Sequence, residues 1–173
     1  MDNITLFFLV QSLIGQSPIL DGLMRFGAEP LIYIMILLTL ILGIKGKIED
    51  KKAFLIIILT IPIAFLLIRI IHIFIFKPRP FVTFNFIPLV QETANTCFPS
   101  RHTTISAVIA FAFTYFKSKR SLLFLILMLW VGISRVYVGV HYPLDILGGF
   151  LVAAISLSLA LQIKRILKKF LLT

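Results

Sequence analysis

The sequence has one cysteine, Cys97, and three histidines, and no Cys/His cluster falls at zinc-site spacing. One cysteine cannot form an internal disulfide, so neither a disulfide scaffold nor a structural metal site is supported, and the redox compartment stays open. Acidic residues are scarce, with seven Asp and Glu against 17 Lys and Arg, for a formal net charge of +10. A nucleic-acid partner would need those cations gathered on one soluble face with groove-reading or stacking elements, and no such element is visible. The N-terminus lacks a basic segment and a small-residue cleavage site, so it does not read as a removable signal peptide. No repeat, low-complexity tract or long linker divides the chain, which predicts one domain over residues 1–173.

Apolar residues, by contrast, are abundant. Hydrophobic residues make up 60% of the chain, 17 of them Phe, and the mean hydropathy is +1.06. A soluble domain of this size could not bury so much apolar surface, so the chain reads as an integral membrane protein. Crossing a bilayer takes about 20 residues at roughly 1.5 Å each. Apolar runs cover 30–44, 53–76, 121–136 and 144–163, with a shorter fifth at 103–116 that gains length from Arg101 and His102. The expected fold is all-α, a membrane-embedded helical bundle of five to six transmembrane helices. Residues 1–29 hold two pieces too short or too polar to span alone, read as an interfacial segment or as a broken sixth span.

The basic residues orient these spans. Eleven of the 17 lie in three places: Lys45, Lys47, Lys51 and Lys52 in one connection, Lys117, Lys119 and Arg120 in another, and Lys164, Arg165, Lys168 and Lys169 near the C-terminus. Counting spans from residue 30, all three fall on one side, which the positive-inside rule makes cytoplasmic. Four of the other six, Lys77, Arg79, Arg101 and Arg135, join His102 and His141 in or beside two connections on the opposite face. Cations at membrane depth are costly unless they pair or bind something, and an anion is the natural occupant.

Three segments carry this chemistry. In Pro99-Ser100-Arg101-His102, Ser100 reads as a helix N-cap whose free N–H groups favour a phosphate, or as a plain cap with an incidental histidine. Arg79, stiffened between Pro78 and Pro80, reads alone as an interfacial snorkelling arginine. Asp145 follows His141 by four residues and is placed to accept its N–H, or to serve the helix dipole after Pro143.

Taken together, Arg79-Pro80, Pro99-Ser100-Arg101-His102, Ser134-Arg135, His141 and Asp145 resemble, in order and spacing, the type-2 phosphatidic acid phosphatases. That family includes bacterial lipid phosphatases and undecaprenyl-diphosphate phosphatases, and the bacterial undecaprenyl-diphosphate type looks closest. The motif core covers about 70–150. The resemblance implies a lipid phosphatase without metal or cofactor. His141 would be the nucleophile, oriented by Asp145, and His102 the general acid and base. Arg79, Ser100 and Arg135 would bind the phosphate. Two departures stand out: the family's lysine position holds His72, and the variable residue of Pro-Ser-x-His is Arg101. Lys77, Arg101 or His72 itself could replace the lysine, and His72 reads equally as a helix-buried imidazole. The implied partners are the bilayer and a lipid phosphate: undecaprenyl diphosphate, phosphatidylglycerol phosphate, phosphatidic acid or lipid A 1-phosphate. The implied setting is the inner membrane, with the site extracytoplasmic and the C-terminus cytoplasmic.

Overall fold

The structure, a computed structural model, describes residues 2–171, and its regular elements are eight helices with no strand among the described residues. They are α1 (Asn3–Gln11), α2 (Pro18–Ala28), α3 (Pro30–Lys45), α4 (Ile48–Phe74), α5 (Pro80–Thr83), α6 (Arg101–Tyr115), α7 (Ser121–Tyr137) and α8 (Pro143–Leu171). The predicted apolar runs all become helices. Of these, α4 and α8 are long and apolar enough to cross a membrane by themselves. A third candidate joins α2 to α3 through a 48° bend. Pro30 at the first turn of α3 lacks the N–H that would continue α2, so the chain turns there. Of the two pieces before residue 30, only α2 joins a bent pair, and its partner is the predicted 30–44 run, so the pair is one span with that run and not a separate sixth span broken within residues 1–29. By length, α7 with 17 residues and α6 with 15 fall short of a bilayer, at about 26 and 23 Å.

α6 is the centre of the bundle and packs on α4, α7 and α8. Its Ala107, Val108, Ile109, Ala110, Ala112 and Phe113 are all buried, so it is apolar around its circumference rather than along one stripe. The outward faces of the other helices carry Leu, Ile and Phe, as lipid contact demands. At one end Asp50 starts α4 by accepting the Lys47 N–H at 3.0 Å and pairs with Arg120 at 2.7 Å, beside the Ser118 hydroxyl. That end holds the lysine-rich connections. The other end joins the C-termini of α4 and α7 to the N-termini of α6 and α8.

Two glycines permit this convergence. A Cβ on Gly149 would lie 3.0 Å from the Ser100 carbonyl, so its absence lets α8 approach the start of α6. Gly139, at φ +87°, ends α7 in the left-handed conformation and turns the chain back toward His141. The Ser100 N–H donates to the Asp145 carbonyl at 3.1 Å and ties the two helix starts together.

Candidate active site

Ser100 caps α6, accepting the Thr103 N–H at 3.5 Å and the Thr103 hydroxyl at 3.0 Å. Residues 75–100 fold over this end and are stitched down at several points. The Cys97 N–H donates to the Lys77 carbonyl at 2.9 Å, the Lys77 N–H to the Thr96 hydroxyl at 3.1 Å, and the Leu89 N–H to the Val138 carbonyl at 3.1 Å. The connection thereby drives Arg79 into the bundle, where it is 2% exposed rather than snorkelling to the interface.

Arg79 Nη1 donates to the Val140 carbonyl at 3.1 Å and lies 3.3 Å from His141 Nε2. Its Nε and Nη2 donate to Asn95 Oδ1 at 3.2 and 2.9 Å. Arg135, 1% exposed, donates through Nη1 to the Ala28 carbonyl at 3.2 Å and through Nη2 to Glu92. Glu92 also stands 3.7 Å from Arg79, so its carboxylate bridges the two guanidiniums. Burial alone would push the Glu92 carboxyl up, but Arg135 and Arg79 outweigh it and hold the group below the usual carboxylate range. Two buried cations thus share one counter-charge, and the unbalanced charge favours a further anion.

His141 is buried and has Nδ1 toward Asp145 and Nε2 toward Arg79. An arginine can only donate, so Nε2 accepts and the ring proton sits on Nδ1. Burial pushes His141 down to about 4, with Arg135 and Arg79 adding to the fall and Asp145 opposing it. The imidazole is neutral near pH 7, with its lone pair against Arg79 and within electrostatic reach of Arg135. The Nδ1 to Asp145 separation is 3.6 Å, longer than a hydrogen bond. Asp145 is instead engaged by the Tyr142 N–H at 2.8 Å and by Lys77 Nζ at 2.7 Å. It therefore starts α8 and faces the imidazole at once.

His102, half-buried in the first turn of α6, lies within electrostatic reach of Arg135, Glu92 and His141. The structure thus brings together Arg79, Ser100, His102, Arg135, His141 and Asp145. Lys77 is committed to Asp145 and lies 4.4 Å above the Tyr142 ring. His72 and Arg101 line an adjacent cleft with Arg69. Glu92, Asn95 and the Ala28 carbonyl went unnoticed in the sequence because none belongs to a motif; only Glu92, a lone acid in a basic outer connection, offered a signal. Among the described residues, no three His, Cys, Asp or Glu side chains cluster to hold a metal.

Comparison with known proteins adds to this geometry. Residues 53–168 match the family model described as the PAP2 superfamily. Undecaprenyl-diphosphatase BcrC of Bacillus subtilis is 31% identical over 168 residues, which is 97% of this chain and 87% of that protein. A Bacillus licheniformis protein named bacitracin transport permease protein BcrC is 29% identical over 155 residues, covering 89% of this chain and 76% of that one. The crystal structure of Aquifex aeolicus LpxE superposes with a TM-score of 0.72 at 25% identity, covering 92% of this chain and 94% of that chain.

Proposed function

The chain belongs to the PAP2 superfamily, and from that premise we propose that it is a metal-independent phosphatase of membrane lipids working through a phosphohistidine. One observation carries this reading: His141 Nε2 lies 3.3 Å from Arg79, which a carboxylate already bridges to Arg135. A phosphoryl group offers the same oxygens to the same guanidiniums and puts phosphorus within reach of Nε2. In the first step Nε2 bonds to phosphorus, the phosphorus–oxygen bond to the lipid breaks, and the leaving oxygen takes its electron pair and a proton from His102. In the second, His102 takes a proton from water as its oxygen attacks phosphorus, and the phosphorus–nitrogen bond breaks with its electron pair returning to Nε2, releasing inorganic phosphate. Arg79 and Arg135 hold the transferring oxygens throughout and offset charge that a metal offsets elsewhere. Asp145 keeps the Nδ1 proton in place.

The acceptor of the phosphoryl group is water in this reading. Undecaprenyl diphosphate leads the candidates, in line with the name of the Bacillus subtilis relative. A second reading is binding of an anionic lipid without turnover; the name of the Bacillus licheniformis relative speaks of bacitracin transport and not of hydrolysis. Phosphate release from a panel of purified lipid phosphates in the presence of EDTA separates the two. Release is expected; none from any lipid would favour the second reading.

The bridging carboxylate competes with substrate for the arginines. Glu92→Gln removes its charge, so the inhibition constant of vanadate should fall by roughly three- to tenfold, or ~1 kcal/mol. A rise would mean that Glu92 positions the arginines instead.

All of α3, α4, α6, α7 and α8 cross the membrane in this proposal, the short α6 enclosed by its neighbours and the short α7 turning Leu122, Ile126, Leu129 and Ile133 toward lipid. α2 extends α3 through the bend and is not counted as a span of its own. The site then faces outward and the lysine-rich end faces the cytoplasm. Native Cys97 gives little labelling background, because burial, aided by Asp145, pushes its thiol up to about 12. In intact cells an impermeant maleimide should label Ala94→Cys and spare Lys119→Cys until the membrane is opened. The reverse pattern would invert the topology.

A further inference from the structure

Beside the Arg79 and Arg135 pair, α4 and the start of α6 enclose a cleft of about 450 Å³ lined by Phe65, Ile68, Arg69, His72 and Arg101. We infer that Arg69, His72 and Arg101 form a second phosphate subsite, which holds the phosphate that remains on the lipid when a diphosphate is cleaved. The inference rests on the phosphatase reading and narrows its substrate to lipid diphosphates.

The cleft offers two arginines without ion-pair partners. Neither Arg69 nor Arg101 forms an ion pair among the described residues, and His72 Nε2 is buried with no hydrogen-bond partner. His72 Nε2 can donate to a bound phosphate when the ring carries a proton there. Arg69 and His72, three residues apart on α4, share one face. Phe65 and Ile68 add an apolar wall, as a lipid chain leaving a headgroup requires.

Position assigns the cleft to the leaving group. Arg101 lies within electrostatic reach of His102, which donates the proton to the departing oxygen. Nε2 of His141 attacks the terminal phosphorus, and the bond from that phosphorus to the bridging oxygen breaks. The lipid monophosphate leaves with the electron pair and, with the His102 proton, departs as its protonated form. Its negative charge grows as the bond breaks, so cations beside it stabilise the transition state more than the bound diphosphate. A lipid monophosphate has no second phosphate to place there. Arg79 and Arg135 serve the transferring phosphoryl group, which leaves His72 and Arg101 available for this separate task.

The test compares farnesyl diphosphate with farnesyl monophosphate, which share one chain and differ in phosphate number. Arg101→Ala and Arg69→Gln should lower kcat/KM for the diphosphate by about 10- to 100-fold and for the monophosphate by roughly threefold or less. Arg101→Lys should recover part of the loss. Retained monophosphate hydrolysis shows that the variants fold. Equal losses on both substrates would place these residues on the transferring phosphoryl group and overturn the proposal, as would no loss on either. A loss that follows the phosphatidylglycerol content of the vesicles alike for both substrates would assign the cleft to bulk anionic lipid, again overturning it. If the wild-type protein releases phosphate from neither substrate, the phosphatase reading itself fails.

Discussion

His141→Ala is expected to reduce phosphate release by about 10⁴-fold or more, the scale seen when a catalytic nucleophile is removed. The side chain is 2% exposed, and its Nδ1 makes no hydrogen bond. Its loss therefore costs packing more than polar contacts, and the bundle should still assemble. Lipid phosphate binding should persist, because Arg79 is also held by Asn95 and the Val140 carbonyl, and Arg135 by Glu92 and the Ala28 carbonyl. Binding without turnover is the expected signature, read by a vanadate-protected thermal shift beside a phosphate-release assay. Near-normal rates would exclude His141 as the nucleophile.

His102→Ala should lower the rate by about 10²- to 10⁴-fold on an alkyl phosphate, the usual contribution of general acid–base catalysis. The loss should be smaller on a nitrophenyl ester or a diphosphate, whose better leaving groups depend less on the His102 proton. Substrate selectivity thus runs opposite to that of Arg101→Ala, which harms the diphosphate most. No single defect in folding or membrane insertion yields two opposed preferences. Equal losses on both substrate types for His102→Ala would undercut its role as general acid.

Much of this site was legible in the sequence where its signals were local. The Ser100 cap followed from Pro99-Ser100 before an apolar run, and the two-faced charge pattern divided the lysine-rich connections from the arginine-bearing ones. Contacts between distant segments were not legible. Lys77 reads as a candidate phosphate ligand until the fold places it on Asp145, 68 positions away. Glu92 carries no motif, yet it bridges both arginines because the 75–100 connection folds back over the bundle. The Ala28 carbonyl reaches Arg135 because the bend at Pro30 lays α2 against α7. The spacing of His141 and Asp145 suggested one helical turn. In fact α8 begins at Pro143, so His141 precedes the helix, and the carboxylate serves the Tyr142 N–H while facing the imidazole at 3.6 Å. Helix length was only partly legible: α6 is short because it is the central element and relies on its neighbours for burial.

The central claim is a covalent phosphoryl group on His141. The most direct measurement is rapid quenching in alkali of the purified protein with a lipid diphosphate labelled at its terminal phosphorus, followed by peptide mapping. The account predicts an alkali-stable, acid-labile label on the peptide containing His141, absent from His141→Ala. Label persisting in His141→Ala, or label mapped to another residue, would contradict it.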